Sequence, residues 1–245
     1  MKKLLLKILT VLGVRDQVVD YLINKRALKL YGSFISKNSL VFDVGANVGN
    51  RAKLFLDLGA RVICVEPQKK CVEILKNRFN NQKEVTIIPK GLSDQEGTMT
   101  IYTSDESSVI ATMSNKWKDE GRFTDNTEWN SSDLVEVTTL DTLINQFGTP
   151  SFCKIDVEGF EKNVIAGLSK KIPVISFEFT SEFFDDAEIC IGRLGEIGNV
   201  VVNYSLGESM LLQSTSFLSA HDCINEIKRN PDNLLWGDIY VKFVD

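Results

Sequence analysis

Residues 40–50 of the chain read LVFDVGANVGN. An apolar, β-prone run leads to Asp43, and Gly45 and Gly49 then precede a segment whose apolar residues repeat with helical spacing. Glycine can adopt positive φ and lets a ligand lie against the backbone. The N–H groups at the start of the following helix face such a ligand. The stretch therefore predicts a strand, a ligand-binding turn and a helix.

The side chains of this turn indicate the class of ligand. A dinucleotide-binding turn reads G-x-G-x-x-G, and its second glycine admits a pyrophosphate. Here that position is Asn47, while Asp43 adds a negative charge. A second β-prone run ends at Glu66, where doubly wound folds place an acid that binds ribose hydroxyls. A ribose, cationic groups and no phosphate describe S-adenosylmethionine, although the Gly45 turn and Glu66 alone also permit a NAD-dependent oxidoreductase.

A third strand is predicted over residues 85–89, followed by the turn GLSD at 91–94. Ligands of such sheets bind at the carboxyl edge, so Ser93 or Asp94 is expected to reach an adenine. A simple surface turn is the alternative for Asp94. The predicted cofactor-binding residues are then Asp43, Gly45, Asn47, Gly49, Glu66, Ser93 and Asp94.

The second chemical centre is the stretch SFCKIDVEGFE at residues 151–161, a strand that runs into a helix. Asp156 and Glu158 stand at the carboxyl end of that strand, where methyl donor and acceptor would meet. Lys154 lies within the strand, and a lysine buried in a sheet requires a carboxylate partner. Glu178, on the next predicted strand, is expected to pair with Lys154 and to be a further candidate base.

Asp156, Glu158 and Glu178 are therefore the predicted catalytic residues, with desolvation or like charges raising the pKa of a carboxylate base. The same cluster could hold magnesium, but the sequence has no clear ligand spacing and no metal site is predicted. Glu161 is expected to face solvent or to cap its helix. His221, the only histidine, is the weaker candidate base because it lies in a late predicted helix.

Composition limits the class of protein. A chain of 245 residues with 43% hydrophobic residues can bury a full core as one α/β domain. The net charge of −5 and the pI near 5.1 predict no nucleic acid partner. The five cysteines are odd in number and form no C-x-x-C pair, which is typical of a reducing compartment and predicts a cytoplasmic location.

Two segments lie outside the regular pattern. Residues 1–36 are predicted to be a helical segment, whose leucines and lysines suit either an anionic membrane surface or the protein's own core. Residues 103–133 are polar, with three large aromatic residues, and long insertions of this kind are often lids or binding loops. A partly disordered insertion is the alternative. The remaining domain spans 37–245.

Five predicted βα units are followed by helix, strand, helix and strand, which indicates an α/β fold with a seven-stranded, mostly parallel sheet and helices on both faces. At this point two motifs, GANVG at 45–49 and KIDVEGFE at 154–161, are similar to those of the FkbM family of S-adenosylmethionine-dependent methyltransferases. The resemblance extends over about residues 38–180.

The resemblance to this family implies a Rossmann-like class I methyltransferase fold with S-adenosylmethionine as cofactor. It also implies O-methylation of a hydroxyl, often on a sugar of a glycan, glycolipid or secondary metabolite. The expected partner is accordingly a small-molecule or glycan hydroxyl acceptor. A domain that binds the cofactor without catalysis is a further alternative, and the sequence does not fix the oligomeric state.

Overall fold

The protein is described by a computed structural model that covers residues 15–104, 111–121, 129–232 and 234–245. The helices in these ranges are α1 (Arg15–Tyr31), α2 (Asn50–Asp57), α3 (Lys69–Arg78), α4 (Asn115–Glu120), α5 (Leu140–Phe147), α6 (Glu161–Ala166), α7 (Phe184–Ile197) and α8 (Ala220–Lys228). The strands are β1 (Leu40–Val44), β2 (Arg61–Val65), β3 (Val85–Ile88), β4 (Gly91–Leu92), β5 (Gly97–Thr103), β6 (Ala111–Thr112), β7 (Ser131–Thr138), β8 (Phe152–Ile155), β9 (Val174–Thr180), β10 (Val200–Leu206) and β11 (Trp236–Phe243).

The main sheet has seven strands in the order β3-β2-β1-β8-β9-β11-β10. Neighbours from β3 to β9 run parallel, whereas β11 is antiparallel to both β9 and β10. The chain order reverses beside β1, which is where ligands bind in doubly wound sheets. The predicted seven-stranded, mostly parallel sheet is confirmed.

Each face of the sheet has its own apolar core. On β1, Phe42 and Val44 belong to the core beneath α5–α8, whereas Val41 belongs to the core beneath α1–α3. This alternation follows from the period of two along a strand. Helices therefore cover both faces, as the sequence predicts, and the carboxyl edge of the sheet is left open for a site.

A second sheet, in the order β4-β7-β5-β6, stands beside this carboxyl edge. It occupies part of the predicted insertion 103–133, because β6, α4 and the start of β7 fall within it. The described part of the insertion is thus regular rather than a long irregular loop. Residues 105–110 and 122–128, which include Phe123, lie outside the described residues.

The predicted N-terminal helical segment is described only from Arg15, where α1 begins. The lysine-rich residues 1–14, on which the predicted membrane contact depends, lie outside the described residues. Across the described ranges, every helix is too short or too polar to cross a bilayer.

Candidate active site

The turn after β1 is built around positive backbone angles. Gly45 has φ 77°, Asn47 φ 48° and Gly49 φ 84°. A Cβ atom on Gly45 would stand 1.8 Å from the backbone oxygen of Asp156, so only glycine allows the end of β1 to lie this close to the segment after β8. Gly49 precedes α2 and packs against the side chains of Leu75 and Phe79.

Glu66 fixes the same turn from the end of β2. Its Oε2 accepts the backbone N–H of Asn47 at 2.8 Å, and its Oε1 accepts that of Gln68 at 2.9 Å. Each carboxylate oxygen has a further lone pair that can accept a ligand hydroxyl. Burial raises the pKa of Glu66, and the two backbone donors oppose that rise.

A cavity of about 740 Å³, part of it open to solvent, lies between this turn and the second sheet. Among the predicted cofactor-binding residues, Gly45, Asn47 and Glu66 line it. The apolar part of its wall comes from Val44, Val65, Pro67, Leu92, Ile101, Ala111, Met113 and Val157.

The other predicted cofactor-binding residues do not line this cavity. Asp43 is buried in β1, and Gly49 lies at the start of α2. Ser93 is buried and its Oγ donates to Asp94 Oδ1 at 2.9 Å, whereas Gly91 of the same turn lines the cavity. Their roles in binding the cofactor stay predictions.

Sequence reasoning missed the part of the wall that the second sheet supplies. Ile101, Ala111 and Met113 come from β5, β6 and the residue that follows β6. The sequence does show these apolar residues within and beside the polar insertion. The part of the protein that they contact, however, depends on how the strands of the second sheet pair. Lys90 also lines the cavity, and its Nζ lies 2.8 Å from Glu136 Oε2.

The predicted catalytic residues come together. Asp156, Glu158 and Glu178 each bring one carboxylate oxygen into a group in which all three oxygens lie within 4.8 Å of one another. Burial raises the pKa of Glu178 well above its ordinary value, and the charges of Asp156 and Glu158 raise it further. The cluster thus contains a carboxylate whose proton affinity suits a general base.

The backbone of the Glu158 loop is held from two sides. Glu158 and Gly159 have φ 53° and 82°, and the Thr112 hydroxyl donates to the Glu158 carbonyl at 2.7 Å. Glu161 Oε1 accepts the N–H groups of Val157 and Gly159 at 3.1 and 3.3 Å. Glu161 therefore holds the loop that enters α6 rather than facing solvent, and its buried carboxyl has a pKa raised to about 7 by desolvation.

A second cavity adjoins the first and shares Asp156 and Glu158 with it. It contains about 910 Å³, including space open to solvent. Two tryptophans and three further polar residues complete its lining: Trp117, Trp236, Glu178, Thr180 and Glu208. A ligand in the first cavity and one in the second would meet at the shared acids.

The predicted pairing of Lys154 with Glu178 is wrong. Lys154 is buried, and its Nζ lies 2.8 Å from Asp238 Oδ1 and 3.1 Å from Asp156 Oδ2. The reason is the strand order: β11 pairs with β9, and this pairing puts Asp238 opposite Glu178, within reach of Lys154. Lys154 therefore forms its ion pair with Asp238, and Glu178 lines the second cavity.

His221 lies on α8 with 84% of its side chain exposed, and it lines neither of the two cavities that share the acid cluster. It is hydrogen-bonded to Asn225 of the same helix. The structure therefore gives His221 no place at the acid cluster, in keeping with its lower rank as a candidate base.

The sheet order, the glycine turn and the acid that ends β2 define the class I methyltransferase fold. In agreement, the sequence model of the Methyltransferase FkbM domain matches residues 43–198. The chain belongs to this methyltransferase family, whose cofactor is S-adenosylmethionine. The lining of the cavity fits that cofactor: Glu66 has free lone pairs that would accept ribose hydroxyls, Asp156 and Glu158 would lie near the cationic groups, and apolar side chains suit an adenine.

Local similarity also links the chain to a curated protein, the probable ribosomal RNA small subunit methyltransferase A of Methanococcoides burtonii. The two are 30% identical over 87 residues, which are 34% of this chain and 32% of the relative. The chain thus covers about a third of that relative's length.

Solved structures with a similar arrangement include three methyltransferase-related proteins. Precorrin-6y C5,15-methyltransferase from Geobacter metallireducens is 12% identical, with TM-score 0.48, and the match covers 89% of this chain and 87% of that one. An rRNA methylase from Streptococcus thermophilus is 9% identical, with TM-score 0.45, and the match covers 89% of this chain and 94% of that one. SMU.1697c from Streptococcus mutans, in complex with SAH, is 10% identical, with TM-score 0.45, and the match covers 89% of this chain and 96% of that one.

The prediction that nucleic acid is not a partner is wrong. The curated relative has a name that specifies ribosomal RNA. The physical flaw lies in the use of net charge: −5 is a sum over the whole chain, whereas contact with phosphates depends on the charge of one local surface. Net charge alone therefore excludes no acceptor class here.

Proposed function

We propose that this protein transfers a methyl group from S-adenosylmethionine to a hydroxyl group of a sugar-containing acceptor, in a glycan, a glycolipid or a secondary metabolite. The observation that carries the proposal is the pair of adjoining cavities that share Asp156 and Glu158. One cavity has the ribose-binding acid of the family fold, and the other has the walls of an acceptor site. The shared acids lie where the two ligands would meet.

The second cavity suits a sugar in two respects. Trp117 and Trp236 offer aromatic faces for the C–H surface of a ring, and aromatic side chains with a few polar groups are typical of small-molecule sites. Glu178, Thr180 and Glu208 offer oxygen atoms to hydroxyl groups. A purely apolar acceptor would leave the buried Thr180 hydroxyl without a hydrogen-bond partner, at a cost of about 1–3 kcal/mol.

The chain's own residues supply alignment and proton removal. When bound, S-adenosylmethionine supplies an electrophilic methyl group. The acids after β8 and on β9 hold the acceptor hydroxyl in line, and Asp156 or a neighbouring carboxylate takes the proton as the oxygen attacks. The loop bonds from Thr112 and Glu161 keep Glu158 in place for this step.

The first test is calorimetric titration of the purified protein with S-adenosylmethionine and its demethylated product, with NAD as the control. Saturable binding of the first two alone supports the cofactor site, while binding of NAD alone would replace the proposal with the oxidoreductase alternative. Methyl transfer is then assayed on a panel of sugars, glycolipids and hydroxylated metabolites. Cofactor binding without transfer to any of them would favour a non-catalytic domain.

Asp156→Asn tests the proposed base directly. We expect turnover at saturating S-adenosylmethionine to fall by about 10²-fold or more, since general-base catalysis contributes about 10²–10⁴. Asp57→Asn is the matched control, because Asp57 is exposed on α2 and pairs with Lys53. Wild-type turnover in the Asp156 variant would remove Asp156 from the mechanism.

RNA is the second candidate acceptor, and the local match to a ribosomal RNA methyltransferase is the observation that favours it. A short structured RNA therefore belongs in the same panel. Transfer to RNA, with none to free sugars or glycolipids, would replace the glycan proposal by an RNA-modifying one.

A further inference from the structure

The three acids at the junction of the cavities have the spacing of cation ligands. Asp156, Glu158 and Glu178 each offer one oxygen, and these oxygens lie within 4.8 Å of one another. Ca²⁺ binds oxygen at about 2.3–2.6 Å, so two ligands on opposite sides of the ion are about 4.6–5.2 Å apart. Mg²⁺ binds at about 2.0–2.1 Å and needs them within about 4.2 Å. A cation of either size fits with little or no movement of the side chains.

The ligands come from well-fixed backbone. Glu178 is on β9, inside the main sheet, and Asp156 directly follows β8. Glu158 is on the loop that Thr112 and Glu161 hold by hydrogen bonds. Oxygen ligands on rigid elements do not have to be ordered when the ion binds, which lowers the entropic cost of binding.

A separate observation concerns Thr180. It is 5% exposed, and its Oγ1 has no hydrogen-bond partner among the described residues. Strand alternation puts Thr180 on the same face of β9 as Glu178, and both line the second cavity. A buried hydroxyl without a partner is costly. A ligand in this cavity, such as an ion with its bound water, would satisfy it.

Lys154 does not occupy this position. It is 1% exposed within the sheet and its Nζ is 2.8 Å from Asp238, so it reaches the cluster only through Asp156 Oδ2 at 3.1 Å.

We infer that Asp156, Glu158 and Glu178 form a site for a divalent cation, with the Thr180 hydroxyl at its edge. The inference deepens the proposed function and rests on it only for the role of the ion. That role is to hold the acceptor hydroxyl and lower its pKa, as cations do for bound water. A carboxylate can ligate with one oxygen and accept a proton with the other, so the proposed base is compatible with the site.

The probe is Tb³⁺, whose emission tryptophan can sensitise, and Trp117 and Trp236 line the same cavity. Chelator-treated protein is titrated with Tb³⁺ while tryptophan is excited, and the emission is then competed with Ca²⁺, Mg²⁺ or Mn²⁺. We expect saturable emission from the wild type and competition by at least one of these ions. Glu178→Gln and Glu158→Gln should weaken Tb³⁺ binding at least tenfold. Glu196→Gln, at an exposed acid on α7, is the control and should not change it.

Folding of each variant is checked by thermal unfolding and by titration with S-adenosylmethionine. No saturable emission from folded wild type, or equal Tb³⁺ affinity in Glu178→Gln, would overturn the cation site. Methyl transfer that survives exhaustive chelation would also overturn it, yet would leave the proposed function standing. Cation binding with no transfer to any acceptor would support the site and defeat the proposed function instead.

Discussion

Asp43 is a buried charge inside the central strand β1. It is 2% exposed, and its Oδ2 has no hydrogen-bond partner among the described residues. Burial raises the pKa of Asp43 from 3.8 to about 7, and the nearby charge of Lys154 opposes that rise. Between these two values the folded protein holds a proton that the unfolded chain has released. The free energy of unfolding therefore falls as pH rises from about 4 to about 7.

Asp43→Asn should remove this part of the pH dependence, because asparagine has the same shape and does not ionise. We expect the loss of unfolding free energy between pH 5 and pH 8 to be smaller in the variant by about 1–3 kcal/mol, on the scale of 1.36 kcal/mol per pKa unit. Urea unfolding at both pH values measures it, with Asp57→Asn as the control. Parallel pH dependence in wild type and Asp43→Asn would contradict the assignment.

At the scale of elements, the β1–α2 turn depends on the missing side chain of Gly45. Alanine there must adopt φ 77° and place its Cβ 1.8 Å from a backbone oxygen of residue 156. We expect Gly45→Ala to lower the unfolding free energy by about 2 kcal/mol or more and to weaken cofactor binding. Urea unfolding and calorimetry measure the two effects.

Gly97→Ala is the matched control for this turn. A Cβ at Gly97 would have no atom within 4 Å, and the φ angle there is not positive. The free energy of unfolding of Gly97→Ala should lie within about 0.5 kcal/mol of the wild-type value, which is the range usual for surface substitutions. Equal stability losses at positions 45 and 97 would mean that the close approach at Gly45 is not the cause.

The elements that the sequence predicted well are those with local signals. The β1 strand, its glycine turn and β8 each combine an apolar run with a turn residue or an acid. The second sheet was largely missed because β5 and β7 pair across an insertion, Gly97 with Val137 and Thr103 with Ser131. Strand β7 begins with the polar residues SSD, which give no apolar signal.

Across the whole molecule, the site residues also fall into those that a local sequence pattern predicts and those that depend on the order of the strands in the sheet. Gly45, Glu66 and Asp156 follow their strands directly, and a parallel sheet brings strand ends to one edge whatever the strand order. Trp236 and Asp238, in contrast, depend on β11 entering the sheet between β9 and β10. No local pattern reports that long-range order, which is why Lys154 was assigned the wrong carboxylate.

The Lys154–Asp238 pair joins the β8 strand to the last strand of the chain, and both side chains are at least nine-tenths buried. A buried ion pair whose one member is removed leaves an uncompensated charge, at a cost of about 3–5 kcal/mol. Lys154→Met should therefore lower the unfolding free energy by about that amount. Lys154→Met with Asp238→Leu should recover much of the loss, because the buried charge at position 238 is then also removed and Asp156, the other partner of Lys154, is 38% exposed.

Urea unfolding of the two single variants, the double variant and the wild type gives a double-mutant cycle. Its coupling term should exceed about 1 kcal/mol, whereas Lys170→Met, at an exposed lysine, should change stability little. Additive losses in the cycle would contradict a direct pairing. The double variant should also bind the cofactor as the wild type does, because neither Lys154 nor Asp238 lines the first cavity. Weaker cofactor binding in a stable double variant would show instead that Lys154 also holds Asp156, its second partner at 3.1 Å, in position at the first cavity.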